Sequence, residues 1–503
     1  MRNTEPQSSN TRINSFGAWK IIFTIILLFS AAIASPAQTL KTLVSFDGPD
    51  GWSPTAGSLV QGFDGNFYGT TYRGGTNGGY GTVFKINSSG RLITLHSFNN
   101  SDGNYPQGLV QAEDGNLYGT TYGGGANDAG TVFKITPQGT LTTLYSFCAR
   151  PNCTDGANPW AVPIQAIDGN LYGTTVSGGP NSDPEFCPSG CGTVFKISTT
   201  GTLISLHSFC GETHCPDGYN PGSLLEATNG TLYGTTSAGG NSAGSCNYGC
   251  GTIFRLTPGS AFSILYSFVG SDGAAPGGLA QGADGNLYGI TAWGGANSDR
   301  DDCPGGCGTV FKINPAGALS TLYSFCAEAN CSDGYEVNAG LVQGTDGNFY
   351  GTTTRGGSSW VGTIFELTSD TTFTIVESFA GPDGAYPYAG LVQGTDGMFY
   401  GTTYSGGADY HNLDGTVFSL DTGLGRFVKT LPTFGKVGVP VIILGNHLTG
   451  ATSVTFGSVA ATFSVVSDSE ITTVVPVGAT TGRVGVQTPA GRLHSNVIFR
   501  IAQ

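Results

Sequence analysis

Charged residues are scarce in this sequence, and so are the side chains that favour helices. Lys and Arg together supply 20 of the 503 residues, Asp and Glu supply 34 and Met supplies 2, whereas glycine supplies 82. This composition argues against an all-helical protein. The formal net charge of -14 argues against nucleic acid and anionic membrane surfaces as partners. Hydrophobic residues still reach 39%, which is enough material for folded cores.

Long apolar runs are also missing, apart from one near the N-terminus. Ile21 to Ala34 is shorter than the roughly 20 residues that a membrane-spanning helix needs. Basic residues precede this run and small residues follow it, which is typical of a secretory signal peptide. We therefore expect residues 1–37 to be a signal peptide, and we expect no permanent membrane span. The predicted location is extracellular, periplasmic or on the cell surface.

Two short strings recur seven times along the chain. The string Tyr-Gly-Thr/Ile-Thr is followed each time by Gly-Thr-Val/Ile-Phe, and successive tyrosines lie 50 to 62 residues apart. A period of this length is typical of a propeller blade and not of ankyrin or tetratricopeptide repeats. The two strings begin at Tyr68 and Gly81, Tyr118 and Gly130, Tyr172 and Gly192, Tyr233 and Gly251, Tyr288 and Gly308, Tyr350 and Gly362, and Tyr400 and Gly415.

The second repeat indicates how one unit folds. Alternation and turn residues predict four short strands, at Leu109–Ala112, Leu117–Tyr122, Thr131–Ile135 and Leu141–Phe147. The Asp-Gly-Asn turn between the first two accepts the positive φ angles of a tight hairpin. A sheet this small cannot cover both of its faces, so the units must stack on their neighbours around an axis.

The two ends of the repeat region predict a closed ring. Leu40 to Phe46 matches the fourth-strand pattern but precedes the first repeat, and the seventh unit drifts off pattern after Phe418. An N-terminal strand that completes the seventh sheet would remove the open edges that invite aggregation. The predicted fold is therefore all-β, a seven-bladed β-propeller closed by an N-terminal strand. A linear β-solenoid is the less favoured alternative.

The strings Asp-Gly-Asn-Leu/Phe-Tyr-Gly-Thr-Thr and Gly-Thr-Val-Phe-Lys-Ile recur over roughly residues 40–420. This tandem pattern resembles the GloVer repeat family of secreted bacterial proteins. The resemblance implies a β-propeller-like exported repeat protein, and it brings no catalytic residues with it. Single copies depart from the pattern at Asn229, Ile290 and Met398, and none of these changes the expected fold.

A different alternating pattern begins at about Val428. The run from Pro432 to Gly445 resembles the opening of an IPT/TIG domain, which implies an immunoglobulin-like β-sandwich. In that family such domains serve as binding modules, spacers or dimerisation units. Turn residues separate four expected strands, at Val441–Gly445, Val454–Gly457, Ile471–Val475 and Val497–Ile501.

The sequence thus predicts three domains. They are the signal peptide at 1–37, the seven-repeat propeller at 38–427 and the β-sandwich at 428–503.

All twelve cysteines come in close pairs, and the pairs lie in two kinds of loop that emerge on the same face of a propeller. In an exported protein, six local disulfides that stiffen these loops are the favoured interpretation. Zinc is less favoured, because each pair lies outside the usual ligand spacing or lacks a nearby histidine, apart from His214 beside Cys215. Pairing across loops is a further alternative, and we predict neither a metal site nor a cofactor. The pairs are Cys148 and Cys153, Cys187 and Cys191, Cys210 and Cys215, Cys246 and Cys250, Cys303 and Cys307, and Cys326 and Cys331.

Every loop between units contains Asp-Gly. A ring of seven carboxylates could hold Ca²⁺, which prefers oxygen ligands. The favoured interpretation is turn chemistry, in which each carboxylate caps its own loop. The aspartates are Asp50, Asp102, Asp155, Asp217, Asp272, Asp333 and Asp383.

Six of these seven loops also carry an aromatic residue shortly after the Asp-Gly. Flat rings beside carboxylates suit sugars, which stack their C–H faces on the rings and hydrogen-bond through their hydroxyls. Packing between adjacent blades is the alternative explanation for these side chains. The candidate ligand-binding residues are Trp52, Tyr105, Trp160, Tyr219, Tyr335 and Tyr386.

Evidence for catalysis in the sequence is thin. His96 and His207 stand at the fourth-strand position that tyrosine occupies in other units, which favours a structural role over catalysis. We therefore predict a non-enzymatic exported interaction protein whose partner is an extracellular polysaccharide or a protein. A carbohydrate-active hydrolase or lyase with its site at the central opening of the propeller stays open, as does a purely structural envelope protein.

Overall fold

The fold was obtained as a computed structural model, and the all-β prediction is confirmed. The structure describes residues 38–54, 57–240, 246, 249–257, 259, 261–408 and 414–501, so the predicted signal peptide lies outside the described residues. The described residues form 38 strands and two 3₁₀ turns, Pro151–Cys153 and Ala329–Cys331. Within this part of the chain, no helix has the length and apolar character needed to cross a membrane.

The recurring strings have a packing reason, which the second repeat illustrates. Gly119 lies opposite Phe133 on the neighbouring strand, and a Cβ atom on Gly119 would lie only 2.5 Å from the phenylalanine Cζ. Glycine is therefore required for the ring of Phe133 to lie flat over the sheet. On either side of this contact, Tyr118 donates to the turn carboxylate of Asp114 over 2.8 Å, and the buried hydroxyls of Thr121 and Thr131 are 2.9 Å apart.

The repeat region folds into seven four-stranded sheets, numbered here in chain order. Sheets 1 to 3 consist of β2 (Val60–Gln61), β3 (Phe67–Thr71), β4 (Thr82–Ile86) and β5 (Leu92–Ser97); β6 (Asn104–Gln111), β7 (Leu117–Gly123), β8 (Thr131–Ile135) and β9 (Leu141–Ser146); and β10 (Ile164–Gln165), β11 (Leu171–Thr175), β12 (Thr193–Ile197) and β13 (Leu203–Ser208). Sheets 4 and 5 consist of β14 (Tyr219–Glu226), β15 (Leu232–Ala238), β16 (Thr252–Leu256) and β17 (Phe262–Ser267); and β18 (Ala274–Gln281), β19 (Leu287–Trp293), β20 (Thr309–Ile313) and β21 (Leu319–Ser324). Sheet 6 consists of β22 (Val342–Gln343), β23 (Phe349–Thr353), β24 (Thr363–Leu367) and β25 (Phe373–Ser378).

The N-terminal strand β1 (Thr39–Ser45) lies in sheet 7, as the sequence predicts. It pairs antiparallel with β28 (Thr416–Asp421), which places Thr39 opposite Asp421. The other strands of this sheet are β26 (Val392–Gln393) and β27 (Phe399–Thr403).

Consecutive strands run antiparallel, so each sheet has two distinct ends. We call the end with the first-to-second and third-to-fourth strand connections the turn end. The other end carries the second-to-third strand connections and the connections between sheets, and we call it the loop end.

A cycle of hydrogen bonds at the turn end joins each sheet to the next. The last residue of each first strand accepts a backbone N–H from the turn of the preceding sheet, over 2.9 to 3.1 Å. The cycle returns to its start, because sheet 1 accepts from the turn of sheet 7. The pairs, acceptor first, are Gln111 and Phe63, Gln165 and Glu113, Glu226 and Ile167, Gln281 and Thr228, Gln343 and Ala283, Gln393 and Thr345, and Gln61 and Thr395.

Hydrophobic cores lie between neighbouring sheets. Tyr68 and Phe98 of sheet 1 pack with Leu117 and Phe133 of sheet 2, for example. The cluster that contains Phe67 of sheet 1 also contains Tyr400 and Val417 of sheet 7. Each sheet therefore depends on its neighbours for burial, as the sequence predicts for a stacked repeat.

The C-terminal residues form two packed four-stranded sheets and one short parallel pair. Of the strands expected here, the last is shorter than predicted and begins at Arg500. In order within each sheet, the strands are β29 (Lys429–Leu431), β31 (Pro440–Leu444), β35 (Glu470–Val474) and β34 (Phe463–Val465); β33 (Val459–Ala461), β32 (Ser453–Phe456), β36 (Val484–Thr488) and β37 (Gly491–His494); and β30 (Phe434–Gly435) with β38 (Arg500–Ile501).

The C-terminal sheets contact the turn end of the repeat region. Ser469 Oγ donates to the carbonyl of Phe63 over 2.8 Å, and Asn446 Nδ2 donates to Thr395 Oγ1 over 3.0 Å. Lys429 Nζ donates to the carbonyl of Gln393 over 2.5 Å. Burial lowers the pKa of Lys429 to about 8, against the opposing effect of a nearby carboxylate. These contacts are with sheets 1 and 7, at the end opposite the cysteine-bearing loops.

Candidate functional site

The Asp-Gly carboxylates of the loop end are bound by their own loops. Asp155 is fully buried and accepts the Tyr145 hydroxyl over 2.7 Å and the backbone N–H groups of Ala149 and Arg150 over 2.9 and 3.2 Å. In all seven loops the carboxylate accepts at least one backbone N–H from its own loop. This geometry matches turn chemistry, and it leaves fewer oxygen lone pairs for a cation.

The fourth-strand histidines and tyrosines are the side-chain partners of these carboxylates. His96 Nε2 lies 2.9 Å from Asp102 Oδ2, and His207 Nε2 lies 2.9 Å from Asp217 Oδ2. Burial alone would raise the pKa of Asp102, but the hydrogen bonds from His96 and the Asn99 amide outweigh it and lower that pKa. Histidine and tyrosine therefore occupy the same position because each side chain hydrogen-bonds to the aspartate of the Asp-Gly string.

A group of aromatic side chains lies at the loop end of sheets 1 and 2. The rings of Tyr72 and Tyr105 are stacked with centroids 4.7 Å apart, and the ring of Tyr122 meets that of Trp160 edge-on at 5.4 Å. The ring centroid of Trp160 also lies 6.5 Å from that of Tyr72, and the Trp160 residue is 51% exposed to solvent. The exposed Arg73 places its guanidinium 5.7 Å from the centroid of Tyr105. We call these five residues the first aromatic patch.

Local sequence positions explain how this patch forms. Tyr72 and Tyr122 directly follow the Tyr-Gly-Thr-Thr string, where the second strand reaches the loop end. Tyr105 is the second residue of β6, at the start of sheet 2, and Trp160 belongs to the connection that leads into sheet 3. Burial, and then the neighbouring Tyr105, raise the pKa of Tyr72, so its hydroxyl stays protonated and can donate a hydrogen bond.

A second aromatic patch, formed by Arg355, Tyr386, Tyr388 and Tyr404, lies at sheets 6 and 7 and repeats the contact between an arginine and a tyrosine ring. Arg355 lies 5.6 Å from the ring centroid of Tyr386, and Tyr388 meets Tyr404 edge-on at 5.6 Å. Arg355 Nε also contacts Glu336 Oε2 at 2.8 Å. These residues stand at the same repeat positions as members of the first patch, since Tyr404 follows its Tyr-Gly-Thr-Thr string as Tyr72 does. Sheets 6, 7, 1 and 2 are consecutive in the hydrogen-bonded cycle, so the two patches share one half of the loop end.

The other half carries most of the cysteines. The structure pairs every cysteine with its near neighbour in sequence, giving the six local disulfides that the sequence favours. Two pairs of disulfides come together in space, although the sequence alone did not predict this. In each group the four Sγ atoms lie within 4.8 Å of one another. The groups are Cys187, Cys191, Cys210 and Cys215, and Cys303, Cys307, Cys326 and Cys331.

The structure divides the six aromatic residues singled out from the sequence. Tyr105, Trp160 and Tyr386 lie in the two patches. Tyr219 and Tyr335 are 7% and 3% exposed beneath the cysteine-bearing loops, where their rings do not face solvent. Packing, the alternative considered for them, describes both better.

Trp52, the sixth of these residues, is half-buried, and its backbone bridges to Arg73. Sequence reasoning missed Tyr72, Tyr122, Tyr388 and Tyr404. Three of these four could have been found, because the tyrosine after the Tyr-Gly-Thr-Thr string appears only in repeats 1, 2 and 7.

The first strands of the sheets, and the segments that lead into them, approach one another through small residues. A Cβ atom on Gly278 would lie 3.3 Å from the Cα of Gly340, and one on Gly57 would lie 2.6 Å from Val162 Cγ2. The second-strand threonines behind them, such as Thr120 and Thr235, are fully buried. The four residues that meet in these two contacts are small and uncharged.

Comparison of the sequence with protein families gives two matches. The sequence model of the Gloeobacter/Verrucomicrobia repeat matches residues 28–246 and 241–463, and that of the IPT/TIG domain matches residues 428–499. No curated protein matches the chain.

Several solved structures are similar to this chain at low identity. A fungal alcohol oxidase solved with copper is 13% identical, with a TM-score of 0.49 over 93% of this chain and 100% of that one. The extracellular domain of a hybrid two-component system from B. thetaiotaomicron is 12% identical, with a TM-score of 0.47 over 90% of this chain and 53% of that one. PorZ, a surface component of the type-IX secretion system of Porphyromonas gingivalis, is 15% identical, with a TM-score of 0.43 over 92% of this chain and 61% of that one. None of these similarities bears on function.

Proposed function

Because the chain belongs to the Gloeobacter/Verrucomicrobia repeat family and ends in an IPT/TIG domain, we propose that it is a non-enzymatic exported interaction protein that binds extracellular polysaccharide. The binding surface in this proposal is the aromatic half of the loop end. The observation that carries it is the first aromatic patch, in which the exposed ring of Trp160 lies beside the stacked rings of Tyr72 and Tyr105.

The chemistry of the patch suits a sugar chain. Aromatic faces contact the apolar C–H faces of sugar rings, and rigid loops on a sheet scaffold are common ligand sites. Tyrosine hydroxyls and the Arg73 guanidinium supply donors for sugar hydroxyls. Tyr72 and Tyr122 stand at the ends of strands, so few rotatable bonds must be fixed when a ligand binds.

Export is part of the proposal. The predicted signal peptide at 1–37 would deliver the chain to a compartment in which disulfides persist, and the six disulfides fit that location. We propose domain limits of 38–427 for the propeller and 428–503 for the sandwich. The sandwich contacts the turn end, so as a spacer it would leave the loop end free for the ligand.

The test is a glycan-array screen of residues 38–503, with Ca²⁺ and with chelator, that reads both retention and product release. We expect saturable retention that Trp160→Ala weakens about 30-fold, a loss of about 2 kcal/mol, as expected for a central aromatic contact. Trp293→Ala is the matched control, because Trp293 is also an exposed tryptophan but lies on sheet 5.

Equal losses in the two variants would contradict binding at the aromatic patch. Release of shortened sugars would favour a hydrolase or lyase. Absence of both retention and release would favour a protein partner or a purely structural role.

A further inference from the structure

The two four-cysteine groups are built in the same way. In each, one pair comes from the second-to-third strand connection of a sheet, and the other comes from the connection to the next sheet. Eighteen residues separate Cys191 from Cys210, and eighteen separate Cys307 from Cys326. The spacing Cys-x3-Cys-x18-Cys-x4-Cys thus occurs twice, at sheets 3 and 4 and at sheets 5 and 6.

The sulfur geometry is that of a compact ligand set. All four Sγ atoms of each group lie within 4.8 Å of one another. Four thiolates around Zn²⁺, at about 2.3 Å each, form a tetrahedron whose edges are about 3.8 Å. Each group can therefore reach tetrahedral spacing through small side-chain movements once its two S–S bonds are open.

The surroundings of the sulfur atoms also suit a structural metal. Cys191 and Cys215 are fully buried in the first group, as are Cys303 and Cys307 in the second. The first group packs with Phe209 and Phe254, and the second with Phe325 and Tyr335. Such apolar shells exclude water and stabilise metal–thiolate bonds.

We propose that each four-cysteine group is a zinc site in the thiol form of the chain and closes as two disulfides when the chain is oxidised. Binding converts four thiols and one Zn²⁺ into a tetrathiolate complex and releases four protons. Oxidation by two molecules of a small disulfide, such as glutathione disulfide, forms two S–S bonds in the protein. The two disulfide molecules accept four electrons in total and leave as four thiolates, and Zn²⁺ is released.

The chain contains its own control for this inference. Among the residues that the structure describes, Cys148 with Cys153 and Cys246 with Cys250 belong to no such group. Each of these pairs offers two sulfur atoms, which is too few for a tetrathiolate site. Two metal ions per chain are expected, although twelve thiols could supply three sites.

The experiment is a Co²⁺ titration of metal-free residues 38–503, refolded under a thiol reductant. We expect thiolate-to-cobalt charge-transfer bands and tetrahedral d–d bands that saturate at about two Co²⁺ per chain, with Zn²⁺ displacing both. Cys210→Ala/Cys215→Ala should lower the stoichiometry to about one, whereas Cys148→Ala/Cys153→Ala should leave it at about two. Added glutathione disulfide should release about two Zn²⁺ to a chromogenic chelator.

Three results would overturn the inference. The first is a reduced chain that folds but shows no tetrahedral thiolate bands with Co²⁺. The second is an equal fall in the number of bound Co²⁺ ions for the Cys148→Ala/Cys153→Ala and Cys210→Ala/Cys215→Ala variants. The third is a reduced chain that stays unfolded when zinc is present. Glycan binding is read separately on the oxidised chain, so this inference and the proposed function can fail independently.

Discussion

At the turn end of the sheets, seven turns carry nearly the same residues and make the same bond to the next sheet, whereas the loop end divides into an aromatic half and a cysteine half. The uniform end forms the hydrogen-bonded cycle and holds the sandwich domain. The divided end carries the inserted loops and the exposed rings. Repetition is therefore retained where sheets must fit one another, and differences accumulate where residues face solvent.

We expect the largest loss of stability from a substitution that removes the hydrogen bonds within one loop of the cysteine half. Asp333 is 2% exposed and accepts the Tyr323 hydroxyl and two backbone N–H groups, so Asp333→Ala leaves three part-buried donors without this partner. We expect a loss of about 2 to 3 kcal/mol in the free energy of unfolding, measured by urea denaturation.

Asp383→Ala in the aromatic half is the matched control. Asp383 is half-buried and accepts the backbone N–H of Ala380, so its loss should cost about 1 kcal/mol. Equal losses for the two variants would mean that the burial of the carboxylate and the number of its donors do not decide how strongly it stabilises its loop.

An intermediate effect is expected when one disulfide is removed. Cys210→Ala/Cys215→Ala opens a bond with a sequence separation of 5, for which chain entropy predicts a loss of about 2 kcal/mol. Hydrogen exchange of residues 209–218 should accelerate, while glycan retention stays at the wild-type level. A loss of glycan retention as large as that expected for Trp160→Ala would contradict the idea that the cysteine half takes no part in glycan binding.

The smallest effect is expected at the turn end, where Glu226 replaces the glutamine that the other six sheets use. Gln111 Nε2 also donates to the carbonyl of Gly115 over 3.1 Å, and a carboxylate cannot make this bond. Glu226→Gln should therefore raise the free energy of unfolding by about 1 kcal/mol at pH 7.

The pH dependence of this gain has a defined sign. Burial is the main cause that raises the pKa of Glu226. Because the folded state then holds the proton more tightly than the unfolded state, the wild-type chain loses stability as pH rises through the two pKa values. The gain from Glu226→Gln should accordingly shrink below pH 4 in thermal melts. A gain that does not change between pH 4 and pH 8 would contradict this explanation.

The sequence predicted much of the fold because its strands are set by local patterns. Thr131–Ile135 has the predicted bounds, and the N-terminal strand lies in sheet 7 as predicted. The first strand of the second repeat begins at Asn104, earlier than expected, because a register shift between Pro106 and Leu109 lets the loop residues continue the pairing. A bulge of this kind leaves little signal in an alternating pattern.

The candidate site was only partly predictable. The spacing after the Asp-Gly string identified aromatic residues, but it did not show which of their side chains face solvent. Buried Tyr219 was therefore grouped with exposed Trp160. The meeting of Cys187 and Cys210 depends on two loops of adjacent sheets, and no local spacing encodes that contact. Side chains that meet across sheets were missed for this reason, whereas contacts within one unit were anticipated.

Sheet 7 has a consequence for the order in which the chain folds. Its strand β1 is synthesised before the other described strands, yet its partner β28 comes more than 370 residues later, and the bond between Gln61 and Thr395 spans 334 residues. Contacts of such long range form slowly, because the loop between them must lose entropy before they are made. Strand β1 therefore has no partner strand until residues 416–421 have been synthesised, and sheet 7 cannot be completed before then.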